Sequence, residues 1–116
     1  MEEQDVTALI AELVEYARVL TASVEDRDSP LVQSSATCLR ENVTPLYEFL
    51  SKQRPVSFWG SASASAWLTM VSAQSVQEHS EVSDVDWDQV GAAVSFAESG
   101  VDQFVAHWNE VLQARP

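Results

Sequence analysis

The chain has 116 residues, 46% of them hydrophobic, which suffices for one domain, residues 1–116, around a single core that needs no metal or disulfide. Its 18 acidic residues against 6 Lys and Arg leave a formal charge of −12, which argues against direct binding to a nucleic-acid backbone. The one cysteine, Cys38, permits no internal disulfide and is expected as a small buried residue within a helix.

The first helix is predicted over residues 3 to 24. Val6, Leu9, Leu13, Tyr16 and Leu20 follow the alternating four- and three-residue steps of one helical stripe, and Ile10, Ala17 and Val24 widen it. Glu2, Glu3 and Asp5 suit the positive end of the helix dipole. A charged turn, Glu25 to Asp28, then leads to Ser29 as N-cap and Pro30 at the first position of a second helix. Leu31, Ala36, Leu39, Val43, Leu46 and Leu50 supply its apolar face. Pro45 removes a hydrogen bond and clashes with the carbonyl of Glu41, so this helix is expected to be kinked or split there. The split form, with Thr44 capping a new segment, fits the local chemistry slightly better.

Pro55 closes that unit, and Ser57 is the expected cap of a third helix running to about Glu78. No charged residue occurs from Val56 to Gln77. Trp59, Ala62, Ala66, Met70, Ala73 and Val76 form one stripe, with Trp67 and Val71 beside it. The many Ser and Gln residues leave too few consecutive apolar positions for a membrane span, so no membrane partner is expected. Small residues such as Gly60, Ala62 and Ala66 suit close approach by neighbouring helices.

After a short polar connection, Glu78 to Val82, the strongest pattern in the chain fills Ser83 to Gln113. Trp87, Val94, Val101 and Trp108 repeat every seven residues, and Val90, Ala97, Phe104 and Val111 do the same one half-step away. Those eight side chains share one stripe of a rod about 40 Å long, which demands partner helices. Ser83 is the expected cap, with Asp86 reaching back and Val82 stapled to Trp87. The short connections favour antiparallel neighbours, so the predicted fold is all-α, a four-helix up-down-up-down bundle. Only the final Ala114, Arg115 and Pro116 are expected to lack structure.

No constellation for chemistry stands out. His107 has Gln103 and Glu110 at helical spacing, which reads as a solvated imidazole beside a carboxylate, and His79 falls at the end of the third helix, where it suits the dipole. Neither belongs to a Glu-x-x-His pair of the di-iron type, and the three glycines are too scattered for a phosphate loop. No cofactor, no metal and no enzymatic activity are therefore expected. The tripeptide Trp59-Gly60-Ser61 resembles the Trp-x-Gly turn of small secreted actinobacterial helical proteins over three residues only, and it lacks their second glycine, so no family is assigned.

What remains is surface. Ala92, Phe96, Gly100 and Gln103 lie together off the heptad seam of the last helix, a patch of small residues around one aromatic, and Phe58 and Trp67 raise the same question on the uncharged helix. These six are the candidate protein-interface residues, weighed against a second internal helix contact. The expected function is a non-enzymatic, acidic protein–protein interaction module, adaptor or regulatory subunit, that binds a protein partner or another copy of itself. The alternative is an inhibitor or immunity-type protein whose acids mimic nucleic-acid phosphates and block the basic site of a nuclease or DNA-binding partner. A third reading is a pocket for an apolar ligand between the Trp-bearing helices. The starting residues Met1 to Asp5 carry the wrong charge for a signal peptide and no apolar run follows, which predicts a cytoplasmic protein.

Overall fold

A computed structural model of the chain describes residues 1–114. Four helices make up the fold: α1 (Glu3–Glu25), α2 (Ser29–Ser51), α3 (Val56–Ser80) and α4 (Trp87–Ala114). Each packs on the two beside it, and α1 closes on α4, giving an up-down-up-down bundle about 51 × 21 × 19 Å. Arg115 and Pro116 lie outside the described residues, while Ala114, expected to be unstructured, is the last residue of α4.

The heptad stripe of α4 faces inward. Val90, Val94, Ala97, Val101, Phe104, Trp108 and Val111 are buried, and Trp87 is half-buried against the same core. Opposite them, α1 contributes Val6, Leu13, Ala17 and Leu20. The core stripe of α2 is Val32, Ala36, Leu39, Val43, Leu46 and Leu50. Leu31, expected inside, is exposed because Val32 holds the register that places Ala36 and Leu39 inward.

The starts of α2, α3 and α4 differ from the sequence expectations by one to three residues. Asp28, not Ser29, caps α2, its Oδ1 accepting from the Leu31 N–H at 3.2 Å. In α4 the cap is Asp86, not Ser83: its Oδ1 accepts from the N–H groups of Asp88 and Gln89 at 3.1 and 3.3 Å. Val85, just before it, packs on the core, whereas Val82 is exposed, so the proposed Val82 staple does not form. The connection consequently runs from Glu81 to Asp86. The N-cap of α3 is Pro55 rather than Ser57, which is already helical.

Pro45 does not divide α2. The helix is continuous through it, and the Thr44 hydroxyl, instead of capping a new segment, donates to the Arg40 carbonyl at 2.7 Å. Pro45 and Glu41 are both exposed, so the carbonyl left without its N–H partner faces water and the break is tolerated. The α1–α2 turn closes with Asp28 N–H on the Ser23 carbonyl at 2.9 Å and Arg27 N–H on that of Val24 at 3.0 Å, a Schellman arrangement with Arg27 left-handed at φ 51°.

Helices α3 and α4 approach closely at Gly100. A Cβ added at Gly100 would lie 2.5 Å from Thr69 Oγ1, 3.0 Å from its backbone N and 3.1 Å from its Cα. Backbone atoms cannot move aside as a side-chain tip does, so Gly100→Ala must push the helices apart. We expect a net loss of about 1–2 kcal/mol, since overpacking outweighs the ~1 kcal/mol helix-propensity gain. Gly91→Ala, where the nearest neighbour is Val24 Cγ1 at 3.9 Å, should instead gain up to about 1 kcal/mol. Urea unfolding of the two variants, with opposite displacement of the midpoint, checks both.

Candidate functional site

The six interface candidates separate into an inner and an outer set. Gly100 is buried in the α3–α4 contact just described, and Phe58 is partly buried, edge-on to Trp59 with ring centroids 5.3 Å apart. These two serve internal packing. Trp59 in turn lies 6.2 Å from Trp108, which stacks on Phe104 at 6.4 Å, so one end of the bundle is an aromatic cluster. The Trp108 indole N–H donates to Thr7 Oγ1 at 3.2 Å, giving its buried polar atom a partner.

The outer set is Trp67, Ala92, Phe96 and Gln103, all exposed. Phe96 is 61% exposed and Trp67 48%, high values for aromatic side chains on well-formed helices. They border one apolar groove of about 370 Å³ between α3 and α4, floored by Leu68, Val71 and Ala93. Trp67 also borders a second groove, about 390 Å³, which runs along the α2 side past Ala64 and Gly60 to Val56 and Tyr47. The indole thus stands between two apolar depressions on a single face. Sequence spacing marked Trp67 and Phe96, but missed Val56, Val71 and Tyr47. The signal for the first two was present in the four- and seven-residue steps Val56, Gly60, Trp67, Val71, an outward stripe that the stronger inward stripe of α3 obscured.

Around Trp67 and Phe96 the same face carries no charge: from Val56 to Gln77 α3 has none, and the flank of α4 beside it presents Gln89, Ala92, Phe96, Ser99 and Gln103, with Glu110 entering only at the far end, against Ser57 and Phe58. Glu98 and Asp102 look the other way, into a groove with Arg18 and Thr21 of α1, where the Thr21 hydroxyl donates to Glu98 Oε2 at 2.9 Å.

Polar groups at the helix seams are engaged structurally. His107, expected to be solvated beside Glu110, is half-buried and meets Ser65 Oγ at 2.7 Å through Nδ1. The Ser65 hydroxyl donates to the Ser61 carbonyl at 2.9 Å, so the His107 Nδ1–H is the donor to it. The His79 Nδ1–H donates to the Ser75 carbonyl at 2.8 Å in the last turn of α3, as its position suggested. Between α2 and α3, Gln77 accepts from Arg40 and donates to Thr37, both at 2.7 Å, and Gln33 donates to the Ser80 carbonyl at 2.7 Å. Cys38 is half-buried in α2. Among the described residues no cluster of His, Cys, Asp and Glu is placed to hold a metal, and no helix is long and apolar enough to cross a membrane.

No family model, curated protein or solved structure matches the chain. The four tryptophans differ enough in burial to be told apart in solution. Trp59 and Trp108 are buried, Trp87 is half-buried and Trp67 is the most open. Trp67→Phe should therefore remove most of the acrylamide-quenchable fluorescence of a dilute sample and move the remaining emission to shorter wavelength. Quenching that survives the substitution would place the open indole elsewhere.

Proposed function

We propose that this protein is a non-enzymatic protein–protein interaction module, of the adaptor or regulatory kind, which docks through the uncharged face that α3 and α4 share around Trp67 and Phe96. The observation that carries this reading is the exposure of two aromatic rings on a charge-free surface of a chain whose formal charge is −12. Burying one such side chain is worth about 1.5–3 kcal/mol, and contiguous apolar surface of this kind marks binding sites in soluble domains. Aromatic anchors flanked by small residues are the usual centre of binding energy at an interface. The partner is another protein, and no cofactor or chemistry is required of the bundle.

A second reading is favoured by a different observation. From Pro55 to Ala114 there are eight carboxylates and no Lys or Arg, so this half of the chain has no cation of its own to neutralise them. Such a surface would suit blockade of a basic site in a nuclease or DNA-binding protein, by way of its carboxylates instead of the apolar face. The two readings differ in their response to salt, because exposed charge pairs are screened and apolar contacts are not.

The deciding experiment is capture of partners from the native host by immobilised wild-type protein and by the paired variant Trp67→Glu with Phe96→Glu. Both side chains point outward, so circular dichroism and thermal unfolding should stay as in wild type. Capture should fall at least tenfold and should withstand high salt in the wild type. Capture that the paired variant retains, and that high salt abolishes, would transfer the function to the carboxylates.

A further inference from the structure

Resting on the docking face proposed above, we infer that its occupant is a second copy of this chain, packed antiparallel through α3 about a two-fold axis between Ser63 and Ala64. The face is complementary to itself along its own length. Trp67 projects beside the groove of about 390 Å³ that Gly60, Ala64 and Tyr47 help to line, a size within the ~300–1,000 Å³ of sites that enclose bulky apolar groups. A Cβ added at Gly60 would meet only Val56 Cγ1, at 3.8 Å, so the space over this glycine is open. Residues at equal steps on either side of a two-fold axis meet across it. Trp67 of each copy therefore reaches the notch at Gly60 of the other, projection against depression.

The same register settles the remaining exposed groups. Val56, 60% exposed, falls against Val71 beside Phe96 of the second copy. Glu78, just past the end of the uncharged run, is carried beyond the second copy's Val56 toward the Lys52 and Arg54 that precede its α3. Those contacts pair opposite charges at both rims of an otherwise uncharged interface.

Charge also selects against a strongly basic occupant, because this face offers it no carboxylate between Val56 and Gln77. Two copies of formal charge −12 repel, and eight carboxylates without a Lys or Arg lie in the half that makes the contact, Pro55 to Ala114, so the repulsion is strongest at low salt, where the screening length exceeds the ~8 Å of physiological salt. The stripe from Val56 to Ser75 is about 30 Å long at 1.5 Å per residue. Together with the flanks of α2 and α4 that line its two grooves, to a width near that of the bundle, it covers about 600 Å² per copy, or ~1,200 Å² in all, the lower limit for a specific stable interface. A weak, reversible dimer follows.

Sedimentation equilibrium of the full chain over a range of concentrations, in low and high salt, tests this. We expect a monomer–dimer equilibrium with Kd on the order of 10 μM that tightens as salt rises, since screening removes the net repulsion. Acrylamide quenching of Trp67 should fall in step with the dimer fraction. Gly60→Leu, whose Cβ meets only Val56 Cγ1 at 3.8 Å and whose side chain fills the seat, and Trp67→Ala should each weaken the dimer at least tenfold, with dilute protein still unfolding cooperatively and with the Gly60→Leu midpoint raised by its gain in helix propensity. On a Cys38→Ser background, Ala64→Cys at the axis should form an interchain disulfide, and Glu12→Cys on α1 should not. A chain that stays monomeric at millimolar concentration in high salt overturns the inference. In that case, loss of partner capture by the Trp67→Glu and Phe96→Glu pair still leaves the docking face standing. A dimer indifferent to Gly60→Leu and Trp67→Ala, and not linked through Ala64→Cys, overturns it as well, by placing self-association on another surface.

Discussion

The contact between the backbone of α3 at Thr69 and Gly100 of α4 sets the rest of the structure, because two helices can approach this closely only where neither presents a large side chain. The inner face of α3 meets that demand along its middle, between Trp59 and Val76: Ala62, Ser65, Ala66, Thr69, Ser72 and Ala73 are all buried and all small. Their hydroxyls do not forfeit hydrogen bonds in the process. Ser65 and Thr69 donate to carbonyls one turn back, at 2.9 Å each, so buried polar atoms are satisfied within their own helix. A thin, polar-lined helix thus replaces the Leu-rich stripe used by α2, and the bulk missing from α3 is supplied by Phe104 and Trp108 of α4.

Much of this architecture was legible in the sequence, and the reasons for the exceptions are local. The heptads of α4 carry large apolar residues on one side only, so period and burial coincide, and seven of the eight positions are buried. Helix starts were less legible because the chain offers competing caps within a few residues, Asp28 beside Ser29 and Ser83 ahead of Asp86. Any of them can accept the free N–H groups. What decides is which choice buries the next apolar residue, and that depends on neighbouring helices. Pro45 illustrates the same dependence: its effect on α2 is governed by whether the orphaned Glu41 carbonyl faces water or core, a fact of tertiary structure.

The candidate site was half legible for a related reason. In α3 both faces are apolar, so periodicity identifies a helix without saying which side is in. Trp59 and Trp67 are eight residues apart, an angular difference of about 80° at 3.6 residues per turn, yet one is buried in the aromatic cluster and the other stands open. Phe58 and Gly100 were drawn to the interior by the same ambiguity. His107 was misplaced because its partner, Ser65, lies on another helix, and sequence spacing reports only neighbours along its own.

Separation of charge from apolar surface is the consequence with the widest reach. A chain of this acidity would be most soluble with its carboxylates spread evenly, and isolated exposed apolar residues would then need no explanation. Instead, Glu98 and Asp102 sit on the α1 side of α4, and α3 between them and solvent on the opposite side is uncharged over its outer stripe. The inner stripe of α3 needs neutrality, since burial of an ion there would be costly. The outer stripe is under no such constraint, and Lys, Glu or Arg at Ala64, Trp67 or Val71 would improve solubility without touching the core. That these positions hold Ala, Trp and Val is not explained by the stability of the isolated bundle; a surface covered by a partner, as proposed above, would account for it.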